Sequence, residues 1–207
     1  MDRKRHWEQV YRDKSPLEVS WYQAEPALSL ALIEATGCPH DAAIIDVGGG
    51  ASVLVDRLLE AGYQHPAVLD LAGAALEHAR RRLGACADAV EWFEADVTTF
   101  DPPHAFDLWH DRAVFHFLTE ADDRRRYRDT LLRALCPGGH LILAAFAVGG
   151  PERCSGLEVV QYDVDRVLAL FGDDFDLIEM REESHQTPGG AAQRFGYFRL
   201  VRRGPAS

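Results

Sequence analysis

Short apolar runs alternate along most of the chain with segments whose apolar positions recur at helical spacing. The runs that predict buried strands are residues 42–47, 67–71, 90–94, 106–109 and 140–146. The segments that predict helices are residues 25–36, 52–61, 74–83 and 122–135. Buried strands that alternate with helices are typical of a parallel sheet covered on both faces. The pattern therefore predicts an α/β fold with a doubly wound sheet.

The end of the chain follows a different pattern. After a predicted helix at residues 164–171, two strand-like runs at residues 175–181 and 195–201 have no helix between them. Consecutive strands without a crossover helix are expected to pair as an antiparallel hairpin. Their connection, residues 182–194, is long for a hairpin and carries His185, so we expect it to cover part of a site.

Composition and charge narrow the range of functions. The 207 residues are 47% hydrophobic, which is enough for one globular domain with a sizeable core. The net charge of -11 repels a phosphate backbone, so we expect no nucleic-acid partner. No apolar run approaches the roughly 20 residues that cross a bilayer, and acids interrupt the basic first residues. We therefore expect no membrane span and no signal peptide, and a cytoplasmic monomer or homodimer.

The cysteines and histidines show no metal-binding pattern. The four cysteines are far apart in the sequence and form no CxxC pair, and the nine histidines include no HExxH motif. We therefore expect no metal.

The strongest motif is a glycine turn between a predicted strand and a predicted helix. The strand carries Asp46 and runs directly into Gly48, Gly49 and Gly50. Glycines allow a tight turn and close approach of a ligand to the backbone, and the helix that follows offers free N–H groups. The motif therefore predicts a site for a nucleotide-like cofactor.

Two further acids follow the next two predicted strands. Asp70 stands 24 residues after Asp46, where a carboxylate can accept both hydroxyls of a ribose, and Asp96 follows the third strand. Each acid alone is equally consistent with a helix cap or a surface position. Together the three acids mark the carboxyl edge of the sheet, where α/β folds bind ligands.

In this order the motifs resemble those of the class I S-adenosylmethionine-dependent methyltransferases, over about residues 26–201. Residues 46–52 (DVGGGAS) are similar to the family's glycine motif, residues 68–71 (VLDL) to its ribose-binding strand and residues 94–97 (EADV) to its adenine-binding turn. Residues 135–140 (LCPGGH) are similar to its turn before the fifth strand. The predicted hairpin also matches the family's Rossmann-like, seven-stranded sheet, whose last strand is antiparallel.

The resemblance implies S-adenosyl-L-methionine as the cofactor. Gly48 and Gly50 would pack against its methionine part, Asp70 would hold the ribose, and Asp96 with Val97 would contact the adenine. The full set of expected cofactor-binding residues is Asp46, Gly48, Gly50, Asp70, Leu71, Asp96 and Val97. On this interpretation residues 1–40 form an N-terminal lid or helix, residues 41–147 the cofactor-binding core, and residues 148–207 a substrate-side loop, helix and hairpin.

A nicotinamide-dependent oxidoreductase is the least favoured alternative. Gly48 and Gly50 followed by Asp70 meet part of the dinucleotide-binding fingerprint. The position of its third glycine is occupied by Val53.

Candidate catalytic groups follow the predicted fourth strand, where family members place groups beside the methyl carbon. Methyl transfer from a sulfonium is a displacement, so the protein mainly has to align the acceptor. His110 or Asp111 could take a proton from the acceptor, and Arg112 could bind an anionic group with two hydrogen bonds. A structural pair of Asp111 with Arg112 is the alternative.

Four residues outside the core are candidates for acceptor binding. Trp21 and Tyr22 precede the first predicted long helix, and their aromatic rings could wall an acceptor pocket or pack in the core. Cys154 lies in a glycine-containing loop and is either a buried thiol or a ligand for a thiol or metalloid substrate. His185 lies in the predicted hairpin connection.

The sequence does not define the acceptor. The chain resembles small bacterial-type methyltransferases of the group that includes the thiopurine and tellurite-resistance enzymes, and it lacks the Asn-Pro-Pro-Tyr signature of amino-nitrogen methylation in nucleic acids or glutamine. We expect a small-molecule acceptor first, a lysine-type protein side chain second and a non-catalytic S-adenosylmethionine binder third.

Overall fold

A computed structural model describes residues 2–204, which build one seven-stranded sheet and a small two-stranded ribbon. The strands are β1 (Ala43–Val47), β2 (His65–Asp70), β3 (Glu91–Glu94), β4 (Phe106–Arg112), β5 (Leu135–Phe146), β6 (Arg153–Cys154), β7 (Leu157–Glu158), β8 (Phe175–Gln186) and β9 (Ala192–Arg202). The α-helices are α1 (Arg3–Asp13), α2 (Ala27–Glu34), α3 (Leu54–Glu60), α4 (Gly73–Leu83), α5 (Ala121–Ala134) and α6 (Val164–Phe171). Two 3-10 helices span Gly84–Ala89 and Phe115–Phe117. Met1 and residues 205–207, which the predicted domain division includes, lie outside the described residues.

The order of strands in the main sheet is β3-β2-β1-β4-β5-β9-β8. The first five strands pair in parallel, whereas β9 is antiparallel to both of its neighbours. The predicted Rossmann-like sheet with an antiparallel last strand is therefore confirmed. The strand order changes direction between β1 and β4, and ligands of open α/β sheets bind at the carboxyl ends of strands at such a point.

Successive side chains of the central strands pack into two different cores. On β4, Leu108 packs with residues of α2 and α3, whereas Trp109 packs with residues of α5 and α6. Neighbouring residues of a strand point to opposite faces, so helices must cover both sides of the sheet. This explains why the central strands have no polar alternation in the sequence.

The fourth strand is longer than the sequence predicts. The predicted strand ended at residue 109, whereas β4 continues through His110 and Asp111 to Arg112, which pairs with Ala144 of β5. The sequence did not predict this part of the strand because its residues are polar, whereas a buried strand in a parallel sheet is normally apolar. The three candidate catalytic residues therefore lie on a central strand and not in a turn.

The terminal hairpin also differs from the prediction. The long connection expected at residues 182–194 is wrong, because β8 continues to Gln186 and β9 begins at Ala192. A short turn joins them, with Thr187 N donating to Ala191 O. His185 therefore lies on a strand, opposite Gln193. The end of β8 is rich in charged residues, which is typical of an edge strand. Because these residues are not apolar, the sequence did not predict that the strand continues there.

Residues 2–204 contain neither a membrane-spanning helix nor a metal-binding cluster. No helix of this part of the chain is long and apolar enough to span a membrane. Within the same residues, no group of three or more His, Cys, Asp or Glu side chains is arranged to hold a metal ion.

Candidate active site

A cavity lies at the carboxyl ends of the central strands. One side is formed by the residues that follow the strands, and the opposite side is formed by α1 and the segment that follows it. The strand side includes Gly48, Asp70, Leu71, Asp96 and Val97. The structure therefore brings five of the seven expected cofactor-binding residues to one cavity.

The three glycines of the turn are each needed for a different reason. Gly48 has φ +68° and lines the cavity, and a Cβ there would overlap the Val114 side chain. A Cβ on Gly49 would overlap the Asp46 carboxylate, and a Cβ on Gly50 would overlap the Asp70 carboxylate. Gly50 lines neither this cavity nor the second one described below, so its expected contact with the cofactor is replaced by contact with Asp70.

Asp70 is the most enclosed acid of the main cavity. Its Oδ1 accepts a hydrogen bond of 2.8 Å from Ala72 N, and the side chain lines the cavity. Burial, with a smaller contribution from the nearby charges of Asp46 and Glu8, raises the pKa of Asp70 to about 7. A carboxyl group in this state changes its charge near neutral pH.

Asp96 is held differently at the end of the cavity near β3. Its Oδ1 accepts hydrogen bonds from the Thr98 backbone N–H at 2.9 Å and from the Thr98 hydroxyl at 2.7 Å. Its Oδ2 lies 3.4 Å from a guanidinium nitrogen of Arg3 on α1. The Asp96 carboxylate is therefore fixed on one side and ion-paired on the other.

Asp46 and His110 meet below the glycine turn, beside a second cavity. His110 Nδ1 lies 2.7 Å from Asp46 Oδ1, and its Nε2 lies 2.9 Å from Ser29 Oγ on α2. When His110 Nδ1 donates its hydrogen to Asp46, Nε2 accepts a hydrogen bond from the Ser29 hydroxyl. All three side chains are buried, and they line the second cavity together with Gly48.

Asp111 does not occupy the position expected of a catalytic base. It is fully buried and lines neither cavity. Its carboxylate accepts hydrogen bonds from Val114 N at 3.0 Å, from Phe115 N at 3.3 Å and from the Tyr127 hydroxyl at 2.7 Å. Burial raises the pKa of Asp111 to about 6. We correct the catalytic assignment of Asp111, because its acceptor atoms are used to fix the end of β4.

Arg112 is also largely satisfied by the protein itself. Its Nε donates to the Tyr197 hydroxyl at 2.9 Å, and one terminal nitrogen donates to the Trp21 carbonyl at 2.9 Å. The other terminal nitrogen lies 3.7 Å from Glu183, and Phe195 lies under the guanidinium, with its ring centre 4.4 Å from Cζ. Arg112 does not pair with Asp111. Arg112 lines both cavities, and within the described residues its second terminal nitrogen is buried without a hydrogen-bond partner, so the expected role in binding an anionic group stays a prediction.

The four candidate acceptor residues are divided among different places. Trp21 and Cys154 line the main cavity, and Tyr22 lines the second cavity. Burial raises the pKa of the Cys154 thiol. His185 lines neither cavity, and its Nε2 lies 2.8 Å from the Ser20 carbonyl. The expectation that His185 covers the site from a loop is corrected, because it holds another segment in place from β8.

The sequence predicted an N-terminal lid or helix within residues 1–40, but none of the α1 side chains that line the cavity was among the expected site residues. Arg3, Trp7 and Tyr11 all line the main cavity, and their spacing of four residues places them on one face of a helix. This spacing was the available signal. Trp7 packs edge-on against Trp21 and Phe117, with ring centres 5.5 and 5.0 Å apart.

Polar contacts hold α1 over the strand ends. Lys4 pairs with Glu94 at 2.5 Å, and Glu8 accepts a hydrogen bond of 2.7 Å from Gly73 N at the start of α4. Together with the pair of Arg3 and Asp96, these contacts place α1 across the β3 end of the cavity.

The segment that carries this site matches a known family. Residues 45–141 match the family described as "Methyltransferase domain". Residues 45–141, just under half of the chain, are therefore similar to a methyltransferase domain. The matched residues include the glycine turn, Asp70 and Asp96, so the resemblance indicated by the motifs is confirmed.

Relatives of the methyltransferase domain are known in sequence and in structure. Nodulation protein S of Rhizobium tropici is 31% identical over 101 residues, which are 49% of this chain and 42% of that protein. The match thus spans less than half of the relative's length.

Two solved structures share the fold. The N-methyltransferase NodS of Bradyrhizobium japonicum, in complex with S-adenosyl-L-homocysteine, has a TM-score of 0.72 at 16% identity over 96% of this chain and 97% of its own. The 1,6-didemethyltoxoflavin-N1-methyltransferase of Burkholderia thailandensis, with bound 1,6-didemethyltoxoflavin and S-adenosylhomocysteine, has a TM-score of 0.71 at 16% identity over 97% of this chain and 84% of its own. At these identities they show the fold of the domain.

Proposed function

We propose that the protein transfers the methyl group of S-adenosyl-L-methionine to a small-molecule acceptor by direct displacement. The observation that carries the proposal is the placement of Gly48, Asp70 and Asp96 along one side of a single cavity whose other side is aromatic. The complexes of the two structural relatives with S-adenosylhomocysteine support the choice of cofactor.

The residues present fit the cofactor. Asp70 Oδ1 is used by a backbone N–H, whereas its Oδ2 faces the glycine turn, where a Cβ on Gly50 would displace it. We propose that this carboxylate accepts the ribose hydroxyls and that Leu71 and Val97 enclose the adenine beside Asp96. The second cavity, with Asp46 and His110, adjoins Gly48 and would receive the amino-acid end.

The cofactor supplies an activated methyl carbon, so the protein has to exclude water and align the acceptor. Trp7, Trp21 and Phe117 form an apolar wall beside Gly48, and Cys154 lies at the same end of the cavity. Coverage by α1 and by the Trp21 segment favours a small acceptor over a side chain on a folded protein. The bound 1,6-didemethyltoxoflavin of one relative supports this choice.

Calorimetry with S-adenosylmethionine, S-adenosylhomocysteine and NAD tests the cofactor assignment. We expect both sulfur nucleotides to bind and NAD to bind weakly or not at all. Turnover with methyl-labelled cofactor across metabolite pools then tests transfer to a small molecule. Preference for NAD would overturn the assignment, and a labelled protein in place of a labelled metabolite would overturn the choice of acceptor.

Gly50→Ala is expected to weaken binding of S-adenosylhomocysteine by about tenfold or more. The new methyl group would overlap the Asp70 carboxylate and Ala75, so the hydrogen bonds of Asp70 would be lost or misdirected. Gly37→Ala is the matched control, because Gly37 also has positive φ but has no neighbour within 4 Å of an added Cβ. Equal affinities of the two variants in calorimetry would contradict the contact between Gly50 and Asp70.

A further inference from the structure

Residues 20–23, here called the cover segment, separate the two cavities from an open groove on the outside of the protein. Trp21 lines the main cavity and the second cavity, whereas Tyr22 and Gln23 line the second cavity and the groove. The opposite wall of the groove contains Glu183 and His185 of β8. The cover segment is therefore a thin wall between the groove and the enclosed site.

Side chains from the sheet hold the cover segment in place. Gln23 donates to both carboxylate oxygens of Glu183, at 3.0 and 3.1 Å. Arg112 donates to the Trp21 carbonyl at 2.9 Å, and His185 Nε2 contacts the Ser20 carbonyl at 2.8 Å.

The backbone of the cover segment is not part of the sheet. Among the described residues, the backbone hydrogen bonds around it are local: Glu18 N donates to Ser15 O, and Tyr22 N donates to Val19 O. The Trp21 ring also packs edge-on against Trp7 and Tyr11 of α1. A segment held by side-chain contacts and no ladder can open without disturbing the sheet.

We propose that the acceptor enters the site through this groove by displacement of the cover segment, separately from the cofactor. The proposal rests on the proposed function. In the proposed function the cofactor lies under α1, whose ion pairs are at the β3 end of the cavity, whereas the polar contacts of the cover segment come from β4 and β8. The covers of the two ligands are thus held by different polar contacts.

The groove also restricts the charge of the acceptor. Its described lining contains the acids Glu25 and Glu183 and no lysine or arginine. Arg112 lies behind the cover segment, where Glu183 is 3.7 Å from one of its terminal nitrogens. The groove therefore favours entry of a small molecule without negative charge.

Cys154 provides a reporter of opening. Its side chain is buried, lines the main cavity and lies under the cover segment, with Sγ 3.8 Å from Ser20 Oγ. In a background in which Cys38, Cys86 and Cys136 are replaced by serine, alkylation of Cys154 measures how often the cover segment opens. Iodoacetamide and iodoacetate are a matched pair of neutral and anionic probes.

We expect Gln23→Ala to accelerate iodoacetamide labelling of Cys154 by about tenfold. The change removes both hydrogen bonds between Gln23 and the Glu183 carboxylate, so the cover segment opens more often. Glu183→Gln should act in the same direction. The matched controls are Glu182→Gln, on the same strand but paired with Arg194, and Lys4→Ala, which releases an ion pair of α1. In both control variants Cys154 should be labelled at the parent rate. The ratio of the iodoacetamide rate to the iodoacetate rate should be larger for the folded protein than for the unfolded chain.

Acceleration by Lys4→Ala, or parent rates in both Gln23→Ala and Glu183→Gln, would overturn the separate entrance. If the ratio of the two labelling rates were the same in the folded protein as in the unfolded chain, the charge restriction would be overturned. The measurement uses no methyl transfer and is made with and without S-adenosylhomocysteine. Failure of the proposed function would appear as absent nucleotide binding, whereas failure of this proposal would appear in the labelling rates.

Discussion

Replacing Asp70 with asparagine is expected to weaken binding of S-adenosylhomocysteine by about 10- to 100-fold. The buried carboxylate is the one acceptor on the cavity wall placed to receive two ribose hydroxyls in our assignment, and hydrogen bonds to a charged group contribute about 1.5 to 3 kcal/mol. Calorimetry of the variant and the parent protein measures the difference. Glu91→Gln is the control, because Glu91 lies at the start of the neighbouring strand, away from the cavity, and pairs with His104. An affinity as high as that of the control would reduce Asp70 to a structural acid.

The same group gives binding a pH dependence. Because burial raises the pKa of Asp70 to about 7, the carboxylate that accepts the ribose hydroxyls is formed as the pH rises through neutrality. Affinity should therefore rise between about pH 6 and about pH 8 and then level off. Calorimetry over this range should show a flat profile for Asp70→Asn.

The stability of the free protein should change in the opposite direction. The folded state holds the Asp70 proton more tightly than the unfolded chain, in which the pKa is about 4. The contribution of Asp70 to the free energy of unfolding therefore falls as the pH rises from about 4 to about 7. Above neutral pH, Asp70→Asn should unfold at a higher denaturant concentration than the parent. Loss of both stability and binding would indicate that asparagine disrupts the fold.

Replacing Asp111 with alanine is expected to lower the free energy of unfolding by about 3 kcal/mol. The change leaves three buried donors, Val114 N, Phe115 N and the Tyr127 hydroxyl, without their acceptor, at about 1 kcal/mol or more each. Denaturant unfolding followed by tryptophan fluorescence measures the loss.

Asp107→Ala is the matched control for Asp111→Ala. Asp107 lies on the same strand and accepts a single hydrogen bond, 2.9 Å, from Ala43 N at a half-buried position. We expect a loss of about 1 kcal/mol for this variant. If Asp111→Ala unfolded like Asp107→Ala but failed to transfer methyl groups, the structural role would be wrong and a catalytic role would have to be restored.

The cofactor side of the site was predictable because its information is local in the sequence. A buried strand, a glycine turn and a helix follow each other directly, and Asp70 and Asp96 stand at the ends of the next two strands. In a parallel sheet the carboxyl ends of strands share one edge. The parallel sheet and the placement of Gly48, Asp70 and Asp96 at one edge of it therefore followed from the pattern of apolar runs. Gly50 was singled out correctly as a special position, but its contact is with Asp70.

The roles of the candidate catalytic residues were not predictable, because the hydrogen-bond partners that decide these roles come from distant parts of the chain. His110 and Arg112 looked like available catalytic groups. Only the fold shows that Asp46 and Ser29 contact both ring nitrogens of His110, and that Tyr197 and the Trp21 carbonyl accept hydrogen bonds from two of the three guanidinium nitrogens of Arg112. Burial and charge balance depend on which side chains packing brings within a few ångströms. The sequence by itself determined the methyltransferase fold and its nucleotide edge. Only the tertiary structure decided which polar groups face the cavity, because a buried charge must find its partner in space and not along the chain.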